Sequence, residues 1–267
     1  MKTVVITGSA RGLGLEMAKV FKEKNVNIVL SDLNEENLIQ AKSEVEKINS
    51  NSKVDYCICD VTKTTDIETL IEYAKEKFNG IDIWINNAGV NQPEKAIWEL
   101  TEQEIDIVLD VDLKGTIKAS KMIMEEMIKN NGGAIYNVEG YGSNDAKMLG
   151  LSIYGTSKRA ITYFTEALAK ESEEKNTNVI VGKLSPGIMI TDFITNALGN
   201  KEKINLSEKT KKVYNILGDY PDVVAKFLVE NILKNKKNNI KIEWLTNRKA
   251  AWRFMTAGFN KRDFFNK

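Results

Sequence analysis

The chain reads as an α/β protein: a doubly wound parallel sheet of about seven strands with helices on both faces. Two observations predict it. Short β-branched runs alternate along the whole chain with longer amphipathic stretches. A glycine-rich bend also joins the first strand-like run to the first helical one, and an acidic residue closes the second run.

The strand-like runs fall at residues 3–7, 26–31, 54–59, 81–86, 134–138, 179–184 and 240–245. Helical periodicity occupies residues 12–24, 35–49, 65–78, 102–130, 152–174 and 222–234. Strands separated by helices at this spacing make βαβ units, whose sheets are parallel. Pro93, Pro186 and Pro221 each fall where a loop or helix start is expected. Residues 1–245 read as a single domain, with polar residues 191–220 as a substrate flap and 246–267 as a basic, aromatic extension.

Composition excludes several classes. With 42% apolar and 28% charged residues the 267-residue chain is neither disordered nor membrane-spanning in composition, and a net charge of +1 gives no electrostatic case for nucleic acid as a partner. The opening run is too short for a signal-peptide core, so a cytoplasmic location is expected. Histidine is absent, which excludes Ser-His-Asp and Cys-His hydrolases and argues against a catalytic metal site. Cys57 and Cys59, two apart on a strand, are poorly placed to bond and read as buried reduced thiols. Acid–base chemistry near neutral pH is then left to Tyr, Lys, Asp, Glu or Ser.

Thr7-Gly8-Ser9-Ala10-Arg11-Gly12-Leu13-Gly14 follows a strand and opens a helix, where backbone N–H groups can approach a pyrophosphate. Its G-x-x-x-G-x-G spacing differs from the G-x-G-x-x-G fingerprint. Asp32 lies 18 residues beyond Gly14, near the spacing expected of an acid that binds ribose hydroxyls. It would accept from a free 2′-hydroxyl and repel a 2′-phosphate, so NAD(H) is favoured. Arg11 keeps NADP(H) open. Tyr154 and Lys158 are four apart on a helix and project from one face.

In order along residues 1–191, the glycine loop, Asp60-Val61, Asn86-Asn87-Ala88-Gly89, Tyr154-Gly155-Thr156-Ser157-Lys158, and Pro186-Gly187 with Thr191 resemble the classical short-chain dehydrogenase/reductase pattern on a Rossmann-type fold. The resemblance implies a nicotinamide cofactor held by Gly8, Ala10, Arg11, Gly12, Leu13 and Gly14 in the loop. Asp32 and Leu33 would lie at the adenosine ribose, where NADP-preferring relatives often carry a basic residue in place of Leu33. It sets Asp60 and Val61 at the adenine, Asn87, Ala88 and Gly89 at the cofactor ribose, and Pro186, Gly187, Ile188 and Thr191 at the nicotinamide end. Tyr154 is implied as general acid/base; Lys158 would stabilise its phenolate and bind the nicotinamide ribose. A homodimer or homotetramer through the long helices at 102–130 and 152–174 is also implied.

Two positions depart from that pattern. Where the family places a serine to hold the substrate oxygen, this chain has Gly140, and Ser143 is the nearest replacement. Where it places a relay asparagine, this chain has Asp112. The stretch from Asn137 to Ser143, with Tyr154-Gly155 and Ser185-Pro186-Gly187, is more closely similar to the chlorophyll b reductase branch, which carries Gly-x-Gly-Ser before the tyrosine. That branch reduces a formyl group on a large apolar ring, so a bulky apolar carbonyl compound or alcohol is the expected substrate class.

From Lys234 to Lys267 there are ten Lys/Arg against two Asp/Glu, a local charge of +8 that leaves −7 on the remainder. These cations are interleaved with Trp244, Trp252, Phe254, Phe259, Phe264 and Phe265. Such a segment suits either peripheral contact with an anionic membrane or packing over a substrate pocket or subunit interface. Two functional classes fit the whole chain. One is an active oxidoreductase, supported by the Tyr154/Lys158 pair. The other is a nicotinamide-binding regulatory or scaffold protein with weakened catalysis, supported by Gly140 and Asp112.

Overall fold

The structure, a computed structural model, describes residues 1–190, 208–259 and 262–265. Seven parallel strands form one sheet in the order β3-β2-β1-β4-β5-β6-β7: β1 (Thr3–Thr7), β2 (Asn27–Asp32), β3 (Val54–Ile58), β4 (Ile83–Asn86), β5 (Gly133–Val138), β6 (Val179–Ser185) and β7 (Ile240–Glu243). All seven expected strands are present, with ends shifted by one or two residues. The interior strands are apolar nearly throughout, because helices cover both faces.

β1 shows how that burial is shared. Val4 and Ile6 point to one face, where they join α1 (Gly12–Glu23), α2 (Glu35–Glu46) and α8 (Pro221–Lys234) through Phe21, Leu38 and Leu228. Val5 points to the other, into the layer built from α3 (Thr64–Phe78), α5 (Thr116–Lys129) and α6 (Ser152–Glu174) with Ile71, Ile123 and Ala169. β1 is hydrogen-bonded to β2 on one side and β4 on the other. The connections leave it in opposite directions, so a crevice opens beyond the carboxyl ends of β1 and β4, where α/β sheets of this kind bind ligands.

The expected helix at 102–130 is interrupted. α4 (Glu102–Val108) leads into a π-helical segment, Leu109–Gly115, before α5 resumes the α-helix. This wider turn accommodates a buried Asp112, and Gly115 packs closely on Val61, a Cβ there coming within 3.0 Å of Val61 Cγ2. Two described helices, α7 (Glu208–Leu217) and α9 (Asn247–Met255), lie in segments expected to be a flap and an extension. The rest of the flap, residues 191–207, lies outside the described residues. Cys57 is half-buried and Cys59 buried; both are free thiols.

The aromatic C-terminal segment divides in two. Trp244 packs on Phe227, Phe264 on Tyr220 and Phe265 on Tyr214, and Arg253 pairs with the buried Asp219 at 2.7 Å. Trp252, Phe254, Met255 and Phe259 are exposed. Among the described residues no helix is long and apolar enough to cross a membrane.

Candidate active site

The glycine loop is fastened to the end of β4. Thr7 Oγ1 accepts the N–H groups of Asn87 (3.1 Å) and Ala88 (3.0 Å), and Asn87 Nδ2 donates to the carbonyls of Thr7 and Gly8 (2.9 and 2.8 Å). Contact this close dictates the glycines. Gly8 has φ +61°, and a Cβ there would lie 2.7 Å from Ala88 Cα. A Cβ at Gly14 would lie 2.6 Å from the Gly8 carbonyl oxygen and 2.7 Å from Asn87 Nδ2. The α1 N-terminus follows, with no side chain capping it and no acid in its first turn. Its N–H groups and the positive end of its dipole therefore suit an anion, the chemistry of a pyrophosphate.

Asp32 stands beside this loop at the end of β2. Its carboxylate accepts from the N–H groups of Ala10 (3.3 Å) and Leu33 (2.8 Å). Leu33 and Arg11 are exposed, and Leu13 is buried beneath the loop. Asp60, after β3, turns its carboxylate to the N–H and hydroxyl of Thr62 (3.0 and 2.7 Å), which leaves its neighbour Val61 buried against Gly115. After β6, Pro186 is buried, Gly187 (φ +74°) closes on Leu245, and the Ile188 carbonyl accepts from Asp219 N–H at 3.1 Å. Thr191 lies outside the described residues.

A row of contacts runs from this loop to Tyr154. Gly8 abuts Ala88; next to it, Gly89 is so close to the following pair that a Cβ there would lie 3.4 Å from both Lys158 Nζ and Asp112 Oδ1. Lys158 Nζ is 2.9 Å from Asp112 Oδ2, and both side chains are almost wholly buried. The same ammonium lies 5.4 Å from the centre of the Tyr154 ring. At the far end a Cβ on Gly140 would stand 2.3 Å from the Tyr154 hydroxyl oxygen. The fold thus brings Gly8, Gly14, Asn87, Ala88, Gly89, Asp112, Tyr154 and Lys158 into one continuous site.

Electrostatics in this row are set by burial. Tyr154 is pushed up to about 12 by burial; Lys158 draws it down, and Asp112 and Tyr214 push it up again. Burial also raises the Asp112 carboxyl against the pull of Lys158 and the Val90 N–H. For Lys158 burial acts downward, but Asp112 and Tyr154 together outweigh it and the ammonium is held above its ordinary value. Ser143 is buried a turn away. Its hydroxyl donates to the Lys158 carbonyl and accepts from Gly140 N–H, each at 3.2 Å, so in this arrangement it braces the 140–143 turn against α6.

Three features of the site are not visible in the motifs. Gln92 is fully buried, and its Oε1 accepts the N–H groups of Ile153 and Tyr154 (2.7 and 2.8 Å), which fastens the start of α6. Asn86 donates to Asn137 Oδ1 (2.8 Å) and Ser120 Oγ (2.9 Å), and Asn137 donates to Thr165 Oγ1 (2.9 Å), a buried polar ladder. Tyr214, on α7, acts electrostatically on Tyr154 and is itself acted on by Glu94. Asn86 and Asn137 stand within stretches quoted for the family resemblance, though not for this ladder; Gln92 and Tyr214 gave no signal. Among the described residues no group of three or more Cys, Asp or Glu side chains is placed to hold a metal ion.

Comparison with known proteins identifies the class to which this fold belongs. Residues 2–202 match the family model for short chain dehydrogenases, and the chain belongs to that family. It is 29% identical, over 99% of its length and 55% of the relative's, to a probable chlorophyll(ide) b reductase, chloroplastic, of Arabidopsis thaliana. It is 32% identical, over 86% of its length and 66% of the relative's, to a chlorophyll(ide) b reductase, chloroplastic, of Oryza sativa subsp. japonica. The resemblance to that branch is thereby confirmed, while the chain spans about half the length of the first of these relatives. Among solved structures it superposes on a 3-ketoacyl-(acyl-carrier-protein) reductase from Brucella melitensis complexed with NADH, with a TM-score of 0.79, 21% identity, and coverage of 93% of this chain and 98% of that one.

Proposed function

We propose that this chain transfers a hydride between NAD(H) and a carbonyl or alcohol group of a bulky apolar molecule, with Tyr154 as the general acid/base and Lys158 as its partner. The observation that carries this reading is the unbroken row from Gly8 through Ala88, Gly89 and Lys158 to Tyr154.

The residues present suit a dinucleotide. Gly8, Gly12 and Gly14 let the loop backbone approach a pyrophosphate at the α1 N-terminus, Asp32 would take the adenosine ribose, and Asn87 to Gly89 with Lys158 would take the nicotinamide ribose. When bound, the nicotinamide supplies or accepts the hydride. The Tyr154 phenol, kept protonated by burial, donates its proton to a carbonyl oxygen as charge develops there. Lys158 steadies the phenolate that results. Ile188 and Thr191 are assigned to the nicotinamide end, and Asp60 with Val61 to the adenine. Ser143 is assigned to the substrate oxygen, a role that requires its hydroxyl to leave the Lys158 carbonyl. Because Asp32 carries a charge at the ribose position, NAD(H) is preferred, with NADP(H) as the alternative.

An apolar substrate is supported by the rim. The loop after β4 and the loop before α6 touch at Glu94 and Gly150, and they expose Trp98, Met148 and Leu149. The names of the plant relatives concern a large conjugated ring. We also assign this chain to the cytoplasm and to a homodimer or homotetramer through α4, α5 and α6. Peripheral membrane contact would go through exposed Trp252, Phe254, Met255 and Phe259.

The test is fluorescence titration with NADH and NADPH, followed by oxidation of the bound cofactor with apolar ketones and aldehydes. Turnover that disappears in Tyr154→Phe supports the proposal. A second reading, a cofactor-binding protein with weakened catalysis, is favoured by Gly140 at the serine position and by the Ser143 hydroxyl already engaged. Tight binding with no turnover across the panel would select it.

A further inference from the structure

Asp112 occupies an unusual place for a carboxylate. It sits in the π-helical segment, fully buried, with Oδ1 accepting the Val90 N–H at 2.8 Å and Oδ2 2.9 Å from Lys158 Nζ. Gly89 packs over both partners, since a Cβ there would lie 3.4 to 3.6 Å from Lys158 Nζ and the two Asp112 oxygens. A neutral amide at this position would satisfy the Val90 N–H equally well. The extra feature of the acid is its charge, and that charge is spent on Lys158.

We propose that Asp112 is a positioning residue that fixes Lys158 in a buried ion pair and so weakens the pull of the lysine's charge on Tyr154, keeping the phenol protonated to higher pH than an unpaired lysine would allow. The inference rests on the reading of Tyr154 as the proton carrier.

An isolated ammonium within about 4–6 Å of an acid lowers its pKa by about 1–3 units, more effectively still where water is excluded. The ammonium of Lys158 lies 5.4 Å from the centre of the Tyr154 ring. Paired with a carboxylate it presents a dipole, whose field falls off faster, while Asp112 itself opposes ionisation of the phenol. Burial of the phenol then prevails. Among the described residues, the charged or titratable groups that act on Tyr154 include Lys158 on its own helix, Asp112 from the π-helical segment and Tyr214 from α7. Glu94, from the loop after β4, acts on Tyr214.

Asp112→Asn isolates the charge, because its side-chain oxygen still accepts the Val90 N–H. The experiment is a spectrophotometric pH titration of tyrosinate in the full chain, read as the difference between each protein and its Tyr154→Phe counterpart, since there are eight tyrosines. In the parent the Tyr154 component is expected to stay protonated through pH 10; in Asp112→Asn it should ionise about 1–3 units lower. Asp112→Glu, which keeps the charge, should move it less. An Asn variant that folds, by its melting curve, and leaves the Tyr154 component at the parent position overturns the proposal. Should Asp112→Asn fail to fold, Asp112→Ser carries the same expectation and the same refuting outcome. The alkaline limb of kcat/KM for carbonyl reduction should shift with the absorbance. A spectral shift without turnover in either protein would count against the hydride-transfer reading and leave the role of Asp112 standing.

Discussion

At Gly140 the absence of a side chain is what makes room for the Tyr154 hydroxyl. A Cβ there would stand 2.3 Å from that oxygen and 3.0 Å from the ring carbon that bears it. Gly140→Ala is therefore expected to swing the phenol out of place, and displacement on this scale lowers kcat by about 100-fold. Steady-state kinetics beside an unchanged cofactor titration would separate this effect from unfolding. Tyr154→Phe should lower kcat by about 10²–10⁴-fold while cofactor affinity holds. At Asp32 the expectation concerns choice of cofactor. Asp32→Ala should shift the ratio of NADH to NADPH affinity toward NADPH by at least about tenfold, which competitive fluorescence titration reads directly.

Tyr154, Lys158 and Asp32 were legible in the sequence because short motifs hold them at fixed spacing. Gln92 was not: it meets the backbone of Ile153 and Tyr154 only because the loop after β4 folds back over the start of α6. Ser143 shows the converse. The sequence offered its hydroxyl as a substitute for the missing serine, and the fold directs that hydroxyl at the Lys158 carbonyl.

Among the elements, the strands were readable to within two residues because buried parallel strands are β-branched runs bounded by polar residues. The helix expected at 102–130 was not, since amphipathic periodicity continues through Leu109–Gly115 with little sign of the wider turn. That turn depends on a partner distant in sequence: Asp112 is drawn inward by Lys158 and the Val90 N–H. The buried asparagine ladder belongs to this scale too. Asn137→Leu would leave one N–H of the Asn86 amide unsatisfied, its bond to Ser120 remaining, and would remove one of two bonds from the Thr165 hydroxyl; an unsatisfied buried donor costs about 1–3 kcal/mol. Urea unfolding should show a lower midpoint by that amount.

For the molecule as a whole, alkaline pH is the informative stress. Burial raises the Cys59 thiol from 9.0 to about 12, and Tyr154 from 10.0 to about 12. The unfolded chain releases these protons near their ordinary values, whereas the folded chain holds them longer. The stability they contribute is therefore complete below about pH 9 and is lost progressively between 9 and 12. Melting temperature measured across that window should fall, and Cys59→Ala should make the early part of the fall shallower.

Local chemistry in the chain determined the α/β architecture, the place of the glycine loop at the end of β1, the acid at the end of β2, and the Tyr154/Lys158 pair, because each depends on periodicity or on neighbours a few residues away. Tertiary structure alone decided that Gly89 lies against Lys158, that Asp112 is the lysine's counter-ion, that Gln92 fastens the start of α6, and that Tyr214 of α7 acts on Tyr154. These are contacts between residues far apart in the chain, and the field at the phenol depends on which groups burial brings together and which of them remain charged.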